Sequence, residues 1–587
     1  MLEYGLRIQS AKAHVFELSL VIPAPAQMQR VSLPVWIPGS YLVREFAKHL
    51  SGLQAWQDGR ARKIRQLDKC SWEIACDSSA GALELNWQVY AFDTSVRTAF
   101  LDQRRGFLNG TSAFLRVHGR EDEAVRLNVA KPHEPELHDW SVACALPCTK
   151  GDSQGFGVYK AANYDELVDS PIELGTFWRG RFRAAGVVHE FVVAGAPATF
   201  DGKRLLADTQ RICEAEIAFW HGKNGKPPFK RYVFMLNAMS DAYGGLEHRA
   251  STALVCQRGD LPRKGEPAGE KLRSGYQTLL GLISHEYFHA WNVKRLRPAS
   301  FERYDYTQEN YTELLWFFEG FTSYYDDLML RRADLVDDQQ YLALLAKNIN
   351  AVQAMPGRLK QTVAQASFDA WIKYYRVDEN TPNATVSYYT KGALVALCLD
   401  LTLRAQGKGS LDDVMRLLWQ KHGGPVSEAD IASAFKSISG RSYARELRAW
   451  VHSTADLPAE KLLRSAGVEV KHATATVEQQ LGLKVAESAS GVVVKTVLNE
   501  SAAQRAGIAA GDELIAVNGW RLKTLKDWCL YVPTETSAEL TLARDAMLLT
   551  VTLELAHSPV ARTARLTRLP EAKLKQQAAA LRNWPRK

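Results

Sequence analysis

Residues 281–293 read Gly-Leu-Ile-Ser-His285-Glu286-Tyr-Phe-His289-Ala-Trp-Asn-Val, a His-Glu-x-x-His motif set in an apolar run. Upstream, Leu272, Tyr276, Leu279, Leu280 and Ile283 recur at three- and four-residue spacing, which predicts a helix. Pro298 closes the run, after Lys294, Arg295 and Arg297, cations that suit a helix C-terminus. Four residues make just over one turn, so both imidazoles project from one face. That is half of a zinc site, and Glu286, next to the first ligand, is placed to act as general base. Two histidines at this spacing also arise by chance in long helices, so a third ligand has to be found.

Zinc hydrolases commonly add one carboxylate to two histidines. Downstream, Glu313-Leu-Leu-Trp-Phe-Phe-Glu319-Gly-Phe-Thr-Ser-Tyr-Tyr carries Glu319 between Phe318 and Gly320-Phe321, where an unpaired charge is costly. Glu313 competes, but it stands nearer the polar end. Glu319 is therefore the expected third ligand.

Taken with the His-Glu-x-x-His helix, the segment Leu315–Tyr325 resembles the gluzincin zinc peptidases, and among them the glycyl aminopeptidase family. Tyr243-Gly244-Gly245-Leu-Glu247-His248 resembles the exopeptidase motif of aminopeptidase gluzincins, whose Glu binds the substrate's free amino group. Leu246 and His248 depart from the Met and Asn of the larger aminopeptidase families, which leaves room for endopeptidase cutting. Tyr388-Tyr389-Thr-Lys-Gly392 resembles their Tyr-x-Lys-Gly element, whose Tyr stabilises the oxyanion; the Lys-Gly context favours Tyr389 over Tyr388. The resemblance implies a thermolysin-like catalytic domain, one Zn2+ per chain, and substrates that are peptides with a free N-terminus and a small first residue, Gly or Ala. By chemistry alone, the Gly244-Gly245 pair lets backbone approach a ligand, and the alternative is a plain hairpin with a solvated Glu247.

The chain has 587 residues and is 46% apolar, ordinary for a multidomain globular protein. Residues 1–165 alternate polar and apolar between Gly, Pro, Asp and Ser turns, as in His14–Val21 and Leu83–Tyr90, and predict an all-β domain. Leu33–Glu45 and Tyr90–Arg97 resemble the N-terminal domain of the glycyl aminopeptidases; chemically, the Trp and Tyr there read as core and turn packing. Residues 166–330 mix strands and helices, with Arg231–Leu236 and Thr252–Cys256 strand-like around the Tyr243–Glu247 loop. Residues 331–465 are helical, and 470–558 resemble a PDZ domain, a β/α module that binds an extended chain end along a sheet edge. There the amides of Leu481-Gly482-Leu483 are the expected carboxylate holders, the alternative being an inert packing domain.

Residues 559–587 form a basic tail. From Ser558 on there are eight Lys or Arg against one Glu, most of the whole-chain +8, and a short Ala-rich helix is expected there. Cations gathered in a solvated tail argue against a nucleic-acid-binding face. The eight scattered cysteines read as reduced thiols; the Cys144/Cys148 pair lacks the companions of a zinc clip. The start shows no export signal, and no apolar stretch is long enough to span a membrane, Ala393–Leu403 being broken by Asp400, so a cytoplasmic protein is expected. Two other functions stay open: a zinc endopeptidase of protein quality control whose PDZ-like domain captures chain ends, and a non-catalytic peptide-binding scaffold.

Overall fold

The structure, a computed structural model, describes residues 1–267, 271–533, 537–555, 562–570, 581 and 584–586. Its contacts divide the chain into two compact units, one of Met1–Tyr311, Arg332–Val336 and Leu418–Ser427, the other of Thr312–Arg331, Asp337–Leu417 and Glu428–Lys587.

The first unit begins all-β. Leu2–Ser10 pairs antiparallel with Val15–Ile22 and parallel with Val125–Val129, inside an eight-stranded sheet. Leu2, Tyr4, Leu6 and Ile8 are buried while the residues between them are not, the period of a half-buried strand. They share one core with Val31 and Ile74 of one four-stranded sheet and Phe107 and Ile172 of another. Trp36 and Tyr41 are fully buried, in keeping with packing roles.

A five-stranded sheet follows, in the order Trp178–Ala184, Val187–Ala194, Arg231–Met239, Ser251–Gln257, Gly244–Glu247. Its second, third and fourth strands are parallel, so the chain must cross over between them, and the helix Gly202–His221 makes the first crossover. Asp201 caps that helix by accepting from the Arg204 N–H. Gly244–Glu247, expected as a loop, is an antiparallel edge strand bonded along Thr252–Val255. Its apolar content is too short to announce a strand; the neighbouring strand imposes it.

The helix bearing the motif, hereafter the His helix, spans Ser274–Phe288 and packs on this sheet through Tyr287, which stacks on Phe234. It ends nine residues earlier than the apolar run suggests. His289 is its C-cap, and the His289 Nδ1 makes a 2.7 Å hydrogen bond with the Asn292 carbonyl as the chain turns away. Lys294 is consequently not a solvated cation on a helix end: it is buried in an ion pair with Asp169.

The second unit opens with the Glu helix, Leu315–Arg332, and continues through Asp338–Gln353 to the Tyr helix, Tyr388–Ala405. The Glu and Tyr helices meet at Gly320 and Gly392, where a Cβ on Gly392 would lie 2.7 Å from the Trp316 carbonyl oxygen and 2.9 Å from the Gly320 Cα. Two glycines thus permit a backbone-to-backbone approach that no larger residue allows.

The PDZ-like sheet runs Leu483–Ser488, Gly491–Val497, Glu513–Val517, Ala538–Arg544, Met547–Leu553, around its own core of Val492, Val494, Leu540 and Leu542. Thr563–Arg568, expected within a solvated tail, is a strand paired antiparallel with Val468–Ala473. Ala564 and Leu566 are buried in it while Arg565 and Thr567 alternate outward. Trp584 is fully buried, its indole N–H donating to the Tyr324 hydroxyl at 3.2 Å. The expected Ala-rich helix falls on residues 571–580, outside the described residues.

Candidate metal and catalytic site

His285 and His289 stand one turn apart with their Nε2 atoms 3.0 Å from each other. The Asn292 carbonyl can only accept, so His289 carries its proton on Nδ1 and leaves Nε2 as a lone-pair donor. Together with Glu319, buried to 1% exposure on the Glu helix, they form the group of His, Cys, Asp and Glu side chains among the described residues that could hold a metal ion. Their ligand atoms lie within 4.8 Å of one another. Two imidazoles and one carboxylate, with a histidine oriented from behind by a backbone carbonyl, suit zinc in chemistry and number.

Glu286 points from the His helix toward the edge strand. A Cβ on Gly245 would overlap the Glu286 carboxylate, so the strand lies directly against that side chain. Two residues on, Glu247 is buried, and a Cβ on Gly39 would sit 2.5 Å from each of its oxygens. Gly39 has φ of 95°, so the Pro38-Gly39 turn of the β domain brings bare backbone to Glu247. The Pro-Gly pair was the signal in sequence, but nothing local names what the turn approaches.

Behind Glu247 lies a buried ionic cluster that the sequence did not disclose. Asp169 accepts from Lys294 Nζ at 2.7 Å and from the Arg249 backbone N–H at 3.0 Å, and lies 3.1 Å from His248 Nδ1. Burial works to raise the Asp169 pKa, but Lys294, the His248 hydrogen bond and Arg249 overcome it and hold the carboxyl far below its usual range. Lys294 also has its backbone N–H on the His289 carbonyl oxygen at 3.1 Å. One carboxylate thereby ties the end of the Glu247 strand to the exit of the His helix.

In the second unit Tyr388 is fully buried at the start of the Tyr helix, and Tyr389, half-buried, stacks on Tyr374 with ring centroids 5.2 Å apart. Burial, then the negative charge of Glu319, push the Tyr389 hydroxyl well above its ordinary pKa, so it stays protonated. Tyr374, not anticipated, is raised by burial and by Glu319 as well, against a hydrogen bond from Ser387. Neither Glu313 nor the PDZ-like loop belongs to the metal group. Leu481 and Leu483 turn their side chains into the PDZ-like core, and the Gly482 N–H donates to the Glu478 carbonyl at 2.8 Å as the cap of the short helix Val477–Leu481.

The family model for the Peptidase M61 N-terminal domain matches residues 3–176, that for M61 glycyl aminopeptidase residues 278–395, and that for the PDZ domain residues 470–530. The crystal structure of an aminopeptidase N family protein from Idiomarina loihiensis is 34% identical, with a TM-score of 0.92 over 99% of this chain and 100% of that one. The M1 zinc metallopeptidase from Deinococcus radiodurans is 14% identical, with a TM-score of 0.48 over 78% of this chain and 94% of that one. A mutant of that enzyme bound to a Tyr-Ser-Ala substrate is 16% identical, with a TM-score of 0.47 over 78% and 94% of the two chains. No curated protein sequence matches. No helix among the described residues is long and apolar enough to cross a membrane.

Proposed function

Because this chain belongs to the M61 glycyl aminopeptidase family and is a metallopeptidase, we propose that it removes the N-terminal residue, Gly or Ala by preference, from peptides in the cytoplasm, using one zinc ion held by His285, His289 and Glu319. A zinc ion held by these two imidazoles and the carboxylate would supply the Lewis acidity that makes a water nucleophilic near neutral pH. Glu286 would take a proton from the attacking water and hand it to the departing amine. Glu247 pairs with the peptide's α-ammonium, and the bare backbone of Gly244 and Gly245 lets the substrate chain lie along the edge strand. The protonated Tyr389 hydroxyl donates to the scissile carbonyl oxygen as negative charge develops on it.

The observation that carries this reading is the lie of the edge strand on the His helix. Gly245 abuts Glu286 and Glu247 follows two residues later, so a carboxylate suited to an ammonium is held near the group suited to general base catalysis. The PDZ-like domain adds a peptide-binding role of its own, supported by its family match alone.

The test is hydrolysis of glycyl-, alanyl- and leucyl-arylamides beside their N-acetylated forms, with and without chelator, by the wild type and Glu286→Gln. Cleavage of free-amine substrates only, fastest for Gly and Ala and abolished by chelation and by the substitution, is expected. Equal cleavage of blocked peptides would move the reading to an endopeptidase, and zinc binding without cleavage to a scaffold.

A further inference from the structure

The second unit contains a cavity of about 240 Å3 on the Tyr helix, two residues beyond Tyr389. Lys391 lines it and is 2% exposed, and its ammonium has no hydrogen-bond partner. A buried ammonium without a partner is costly, far more so than an exposed one. The Tyr-x-Lys-Gly resemblance gave this lysine no task, and it touches no part of the candidate metal group.

The rest of the lining says what would satisfy it. Arg358 and Arg562 bring two further cations, and Asp456 and Glu460 two carboxylates. Arg358 Nε already donates to Asp456 at 3.0 Å, and Glu460 lies 3.4 Å from Gln353 Nε2 and 3.3 Å from His472 Nε2. The acids are therefore engaged in part, while the Lys391 ammonium is left over. Burial lowers the lysine's proton affinity, Asp456 opposes this, and Arg358 adds to it. Between the charged groups, Ile349, Val352 and Leu394 make an apolar wall. Cation, anion and apolar surface around one small space match a zwitterion with a hydrocarbon side chain better than a bare ion. The volume is also far more than a single water needs.

We infer that this cavity binds a free α-amino acid with a small aliphatic side chain, its carboxylate on Lys391 and Arg562, its ammonium toward Asp456 and Glu460, and its side chain on the apolar wall. That ligand is the product class of the aminopeptidase reading, on which its biological meaning rests; the binding chemistry stands on the cavity alone. The lining takes Lys391 and Leu394 from the Tyr helix and none of the residues assigned to catalysis, so the cavity is a second site.

The experiment is calorimetric titration and thermal unfolding of the full-length zinc-loaded protein with L-alanine, L-leucine, acetate and methylamine, for wild type, Lys391→Met, Arg562→Ala and Glu247→Ala. Alanine and leucine are expected to bind wild type and Glu247→Ala alike, at least tenfold more weakly to Lys391→Met, and more weakly to Arg562→Ala, with acetate and methylamine needing far higher concentrations. Unchanged amino-acid binding in Lys391→Met, acetate binding as well as alanine, or no binding in the tens of millimolar would each overturn the assignment. If Lys391→Met fails to fold, the exposed Arg562→Ala carries the test. Lys391-dependent binding without hydrolysis of free-amine substrates would sink only the aminopeptidase reading; hydrolysis without such binding would sink only the cavity.

Discussion

Gly245 and Glu286 share one space: the volume a Cβ would take on the strand residue is filled by the carboxylate of the helix residue. The strand cannot yield easily, because it is bonded along Thr252–Val255, so a methyl group there has to displace the end of the Glu286 side chain. Gly245→Ala should keep its zinc and its melting temperature within a few degrees and lose about 10²-fold in kcat, the scale of an ångström's misplacement of a catalytic group. Metal analysis beside steady-state kinetics checks this; loss of zinc in step with activity would mean the helix moved instead.

Asp169 holds two elements together, so Asp169→Asn should do more than remove a hydrogen bond. It leaves the Lys294 ammonium buried without its counter-charge, a change that typically costs about 3–5 kcal/mol. Beyond the fall in melting temperature, loosening of the His248–Arg249 end of the strand should raise KM for free-amine peptides more than it lowers kcat. Kinetics measured well below the new melting temperature separate the two effects.

The crossing of the Glu and Tyr helices admits no side chain at Gly392. Gly392→Ala forces a Cβ toward the Trp316 carbonyl and Gly320, and overpacking of this kind costs about 1–3 kcal/mol. The shift falls on the turn before Glu319, so zinc affinity should drop along with stability. A competition titration with a chromophoric chelator, run beside thermal unfolding, reads both.

His189 gives a pH prediction with a definite sign. Burial lowers its pKa to about 4, against a weaker upward pull from the Val187 carbonyl. The Val187 oxygen only accepts, so Nδ1 carries the proton and Nε2 accepts from the Tyr287 hydroxyl at 2.8 Å. The unfolded chain takes up a proton near the ordinary value of 6.5 and the folded one does not until about 4. The stabilisation is therefore complete above pH 6.5 and is lost as pH falls from there toward 4, by roughly 3 kcal/mol in all. His189→Gln should flatten this limb of the denaturation midpoint against pH; an unchanged slope would assign it to other groups.

What could be read from the residues was what depends on short range. The period of two in His14–Val21, the three-and-four spacing around His285, and the aromatic setting of Glu319 each follow from neighbours in the chain. The resemblance to the glycyl aminopeptidases rested on such local strings, and the family comparison agrees with it. Illegible were the features set by a distant partner. Lys294 reads locally as a helix-end cation, but Asp169 lies far upstream. Thr563–Arg568 reads as a charged tail, and only Val468–Ala473, across the whole PDZ-like sheet, makes it a strand. Nor does Pro38-Gly39 say that it will meet Glu247. The end of the His helix was misjudged for a related reason: apolar periodicity persists past His289, but the hydrogen bond to Asn292 requires the chain to turn.

The pairing of Val468–Ala473 with Thr563–Arg568 closes a two-stranded clasp around the ends of the PDZ-like module. Deleting it and shortening the chain from its C-terminus are therefore different operations. A splice that joins the clasp strands by a tight turn leaves the clasp closed and Trp584 on Tyr324 of the Glu helix. A stop codon placed just before the module opens the clasp and strips that tryptophan from beside the helix that carries Glu319. Any truncation study that finds the PDZ-like domain essential for hydrolysis has first to show that it did not simply pull this plug.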